Sequence, residues 1–159
     1  MISTDVQGTK TYVLDVPSTA WADCTEAIAA IKAGTEALCP QTLGDLARTR
    51  EITDYGCISS NDSTKSAGKL TYSDYTIELL FDMTDTDGQK GLYDAMENNT
   101  PIILAMESSN MITPLTGNGD IIWTEAIVSG DTISYPVNGK IGYSVTISPY
   151  GGYLRCDAT

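Results

Sequence analysis

Through most of this chain apolar and polar positions alternate with a period of two, and in two places they shift to the helical period. Thr9 to Val16 (TKTYVLDV) sets Tyr12, Leu14 and Val16 against Thr11, Val13 and Asp15. That is the pattern of a strand, and Pro17 closes it. Arg48 to Ser59 (RTREITDYGCIS) reads as a second strand, weakened by Gly56. Leu70 to Met83 alternates over a longer stretch. Tyr72, Asp74, Thr76, Glu78 and Leu80 lie on one side of it, and Thr71, Ser73, Tyr75, Ile77, Leu79 and Phe81 on the other. Pro101 to Glu107 and Ile121 to Val128 are compact apolar strands, and Lys140 to Ser148 is the last clear one.

The helical period appears first in STAWADCTEAIAAIKAG, where Trp21, Cys24, Ile28 and Ile31 recur at helical spacing. Ser18 or Asp23 caps its start and Gly34 stops it. A helix so short and alanine-rich needs an apolar surface to dock on. The second helix spans Asp87 to Asn98. Thr86 and Gln89 have the T-x-x-Q spacing of a capping box, Leu92, Ala95 and Met96 form the apolar face, and Asn98-Asn99 with Pro101 ends it. Cys39-Pro40 and Gly130-Asp131 mark turns, and Asn138-Gly139 sits between strands in the manner of a hairpin. Between the second and third strands, Ser60, Asn61, Asp62, Ser63, Thr64, Lys65, Ser66, Ala67, Gly68 and Lys69 hold almost nothing apolar and read as a solvated loop. Strands in this number with one or two helices make a mainly-β (α+β) sandwich or barrel. At 159 residues a single domain over 1–159 is expected.

Charge narrows the function. Twenty-one acidic and nine basic residues leave a net charge of −12. Affinity for phosphates comes from Lys and Arg, so a nucleic-acid binder is excluded, whereas a surface that passes nucleic acid without holding it is not. Nine tyrosines dominate the aromatic content, and tyrosine suits surfaces that become buried on association. The opening MISTDVQGTK lacks a basic segment followed by an apolar one, and no run is long enough for a membrane helix. A cytoplasmic product is therefore expected. Cys24, Cys39, Cys57 and Cys156 should then be reduced, with a cross-link between subunits open to a particle that has left the cell.

Candidate chemistry is sparse. The chain has no histidine, the commonest general base and metal ligand. The acidic run Asp82 to Gly88 resembles a calcium loop only partly. With Gly88 at the sixth position, Met83 falls at the first, where it cannot ligate calcium, and Asp94 at the twelfth. Helix-start carboxylates explain the run better. Glu78 and Asp82 share a strand face without forming a recognisable acid–base pair. No nucleophile motif or phosphate-binding glycine loop is present, so no catalytic residue, cofactor or metal is expected.

Four phrases in order resemble the major tail tube proteins of long-tailed, siphovirus-like bacteriophages: LGDLARTREIT, SSNDSTKSAGKLTYSDYTIELLFD, DTDGQKGLYDAMENN and WTEAIVSGDTISYPVNGKIGYSVTIS. They span Leu43 to Ser148. Met1 to Thr42 and the tail from 149 to 159 stand outside the match, the first holding the Trp21 helix. The resemblance implies a tail-tube-like β-sandwich or barrel with one short helix packed on it and a long assembly loop, 60–69. It implies a structural virion protein whose hexameric rings stack into a hollow tube for DNA. Tip or initiator, terminator and tape measure proteins are then its partners. The rival is the inner tube of a contractile tail or injection machine, and beyond it a monomeric β-sandwich binding module.

Overall fold

Pairing of one strand with three others gives this chain its shape. The computed structural model describes residues 9–37, 40–56, 58–59, 61–108, 121–136, 139–151 and 154–156. In chain order the elements are β1 (Lys10–Asp15), α1 (Cys24–Ala33), β2 (Thr35–Glu36), β3 (Pro40–Thr42), β4 (Arg48–Gly56), β5 (Ser63–Tyr72), β6 (Tyr75–Leu80), α2 (Gly88–Asn98), β7 (Ile102–Glu107), β8 (Ile121–Ser134), β9 (Gly142–Pro149) and β10 (Leu154–Cys156). All but β4 and β5 belong to one antiparallel sheet, ordered β2-β1-β7-β8-β9-β6-β3 with β10 also on β8. The first half of β8 pairs with β7 and β10 and its second half with β9, and the register shifts between Val128 and Gly130. Gly130-Asp131, expected to be a turn, is instead the bulge inside this fourteen-residue strand. A bulge adds a residue on one side of the ladder and bends the strand, which needs the same small and polar residues as a turn.

The sheet is covered on both faces, by different helices. Leu92 and Ala95 of α2 join Val13, Ile77, Leu79, Ile102, Leu104, Val145 and Ile147 in the main core. The other face holds a smaller cluster in which Ile28 and Ile31 of α1 meet Tyr12, Leu14, Ala105 and Ile121. That is the surface the first helix needed. Strands β1 and β7 lie between the two clusters, which is why Ile102 to Ala105 form an unbroken buried run. Trp21 precedes α1 and packs edge-on against Trp123, ring centroids 4.8 Å apart. Asp23, not Ser18, caps α1: its carboxylate accepts from Glu26 N at 2.9 Å, while Glu26 accepts from Ala22 N.

Three further expectations are corrected. The long strand from Leu70 to Met83 is broken at Ser73-Asp74, so β5 and β6 belong to different sheets. The chain does not end its sheet at Ser148, because β10 returns to pair with Ile121, Ile122 and Trp123. Cys24 and Cys156 are not free thiols but a disulfide within one subunit, Cα atoms 5.6 Å apart across 132 residues of sequence. The reason is topological: α1 and β10 both pack beside Trp123, a proximity no sequence spacing reveals. Cys39 and Cys57 lie outside the described residues.

Two predictions test this architecture. In the chain-entropy picture a loop this long gives up to about 5 kcal/mol, so Cys24→Ser should lower the unfolding midpoint of the oxidised protein and leave that of the reduced protein nearly unchanged. Equal midpoints in oxidising buffer would count against the bond. Second, burial, and then the charge and hydrogen bond of Glu107, push the Tyr12 hydroxyl up to about 12. The unfolded chain ionises near pH 10, so this stability is full below pH 10 and lost as pH rises toward 12. Tyr12→Phe should flatten that alkaline decline in a pH series of denaturant melts.

Candidate functional site

Strands β4 and β5 form a separate two-stranded sheet in which Arg48 pairs with Tyr72 and Gly56 with Ser63. No residue of either strand is buried, although the hairpin is nine residues long on one side and ten on the other. An isolated hairpin is marginal in water, so nothing in its own packing accounts for this length. The segment expected to be a solvated loop is therefore mostly strand. Ser63 to Lys69 lie in β5, Asn61 and Asp62 in the turn before it, and Ser60 is outside the described residues. Serine and threonine hydroxyls, two lysines and a glycine disguised the strand, since no large apolar side chain marked a buried face.

The pairing brings chemistry together that the sequence kept apart. Asp54 stands opposite Lys65 and Tyr55 opposite Thr64. The register slips between Arg50 and Ile52, and there Arg50 donates from its guanidinium to the Gly68 carbonyl at 3.0 Å. At the base, Gly44 has φ +71°, and a Cβ there would lie 2.5 Å from the Thr76 carbonyl oxygen. The Gly44-Asp45-Leu46 turn into the hairpin thus depends on glycine. Leu43 and Leu46 pack against the main core and fix where the hairpin leaves the body.

The acidic run before α2 proves structural. Asp85 is buried, and its carboxylate accepts from Gly88 N at 2.7 Å and Gln89 N at 3.1 Å. The Thr86/Gln89 capping box does not form. The Gln89 side chain is buried too, donating to the Leu80 carbonyl at 2.7 Å and accepting from Asp82 N at 3.0 Å. It clamps the helix to the end of β6. Asp82 accepts from the Thr84 hydroxyl and backbone, and these bonds hold its carboxyl below the usual range. A general acid needs the opposite shift. Asp82 lines an apolar groove with Phe81, Met83, Tyr93, Ile133 and Tyr143, whereas Glu78 does not reach it. Tyr143 donates to Asp131 at 3.2 Å, and burial first, then that carboxylate, push its hydroxyl up. Among the described residues no group of three or more metal-ligating side chains is gathered, and no helix is long and apolar enough to cross a membrane.

No protein-family model and no curated protein matches this chain by sequence. Solved structures do match it. The SPP1 tail tube, determined by solid-state NMR and cryo-EM, aligns over 98% of this chain and 80% of its own, at 15% identity and a TM-score of 0.68. The chain has the tail-tube fold. A chain of the six-fold symmetrised baseplate of the anti-feeding prophage aligns over 99% of this chain and 98% of its own, at 10% identity and a TM-score of 0.69. Both alignments run through the Trp21 helix and the first strand, the region where the sequence phrases gave no match.

The cap assignment is testable. Asp85→Ala should destabilise the protein by about 2 kcal/mol, the cost of a lost helix cap at a buried site. Asp87→Ala should cost far less, because that side chain makes no capping bond. Comparable losses in urea melts would show the cap to be misassigned.

Proposed function

We propose that this chain is the subunit of a tail tube: six copies close into a ring, rings stack, and the hollow tube conducts DNA out of the virion. One observation carries the reading. The tail-tube fold here projects a long hairpin in which no residue is fully buried. A two-stranded sheet has two outer edges, onto either of which another copy can add a strand. Residues 60–69, of which Ser63 to Lys69 are strand, are the part that reaches a neighbouring ring. The six-fold symmetry of the baseplate that shares the fold supports the ring number.

The charge supports the same role. Six chains of −12 give −72 per ring, a surface that repels phosphates and lets a genome slide. The role is structural and not enzymatic, and it places the protein in the virion tail after assembly in the host cytoplasm. Tip or initiator, terminator and tape measure proteins are its partners there. The inner tube of a contractile tail or injection machine is the second reading, favoured by the equally good alignment to the anti-feeding prophage chain.

The hairpin provides the test. Arg48 and Tyr72 are directly opposed, so a short glycine-serine turn can replace residues 49–71 without stretching the chain. The shortened protein should keep its circular dichroism and unfolding midpoint, and sediment as a monomer where the full chain forms large assemblies. Unchanged assemblies would refute the hairpin's role.

A further inference from the structure

The cover over β1 and β7 is held poorly by its own packing. Of the ten residues of α1, only Ala27 and Ile31 are buried. Strand β10 is three residues long, pairs with β8, and buries nothing except Cys156. Between the two elements runs a groove of about 310 Å³ lined by Trp21, Ala27, Ile103, Trp123 and Leu154, so the cover does not seal. The indole N–H of Trp123 is buried there with no acceptor among the described residues. A buried donor without a partner costs stability that water would return if the cover lifted. A short helix and a three-residue strand with this little burial are elements that open locally.

The Cys24–Cys156 bond decides whether they do. It ties the first residue of α1 to the last residue of β10, and so couples the two weak elements to each other. Cys24 is exposed, so reductants and oxidants in solution reach the bond, and exposed disulfides are the labile ones. The main core includes no residue of α1 or β10, so it does not depend on the cover.

We propose that this bond is a redox latch. Closed, it fixes α1 and β10 on the sheet as one cover; reduced, it lets them lift together while the main core stays folded. Closing forms the Sγ–Sγ bond and breaks the S–S bond of a small disulfide oxidant such as oxidised glutathione. The two thiols give up two electrons and two protons, which leave as two molecules of reduced glutathione. Opening is the reverse exchange with a thiol reductant. The subunit therefore responds to whether its surroundings are reducing or oxidising. The latch belongs to the subunit itself and goes beyond the tube reading.

The test is hydrogen–deuterium exchange of the full chain without denaturant, oxidised with glutathione disulfide or reduced with dithiothreitol. Amides of residues 24–33 and 154–156 should exchange about tenfold faster in the reduced protein, and those of β6 and β9 at an unchanged rate. The chain's two tryptophans, Trp21 and Trp123, both sit at the cover. Acrylamide should therefore quench their fluorescence more steeply after reduction, and glutathione disulfide should reverse the change. The double variant Cys24→Ser with Cys156→Ser should show the open behaviour in both buffers, which separates the latch from Cys39 and Cys57. Equal exchange of the wild-type chain in the two buffers overturns the latch. So does faster exchange across β6 and β9, which would make the bond a prop of the whole subunit. Release of α1 or β10 alone, or a double variant that still responds to dithiothreitol, overturns it as well.

Discussion

The whole arrangement depends on β8 pairing with different neighbours along its length. Its first half holds β7 and β10, and its second half holds β9 and, through it, β6. The register shift between Val128 and Gly130 divides these halves, a bulge that bends a strand, and the main core with the apolar face of α2 draws on residues from both sides of it. Antiparallel pairing supplies the backbone bonds, but the bend decides which side chains meet. Val145 and Ile147 share one core with Val13 and Leu104.

With α2 on one face of the sheet, the other face at β1 and β7 would be left bare. Helix α1 covers it, and the Trp21–Trp123 contact and the Cys24–Cys156 bond hold that cover in place. Both helices are thus used up in closing the body. What remains outside is the β4–β5 hairpin and the apolar end beside α2. On the proposed reading, stability of the subunit and capacity for assembly come from separate parts of the chain.

The sequence made legible whatever buries one face. Strand β6 shows its alternation plainly, with Tyr75, Ile77 and Leu79 buried and Thr76 and Glu78 exposed. The apolar face of α2 and the docking of α1 were equally readable. Burial on neither face hid β5, since Ser63 to Lys69 read as a loop when no side chain signals a core. Contacts remote in sequence were hidden as well. The disulfide, the β10 pairing and the Gln89 clamp on Leu80 each need the folded sheet before their partners stand together. Composition singled out residues 60–69 as a solvent-facing segment, but the strand conformation of Ser63 to Lys69 and the apolar groove beside α2 needed three dimensions.

The most direct measurement is negative-stain electron microscopy of the purified full chain before and after concentration. Hollow tubes of stacked six-fold rings are the expected image. A particle that stays monomeric at every concentration, or that closes into small oligomers with no central channel, would contradict the tube.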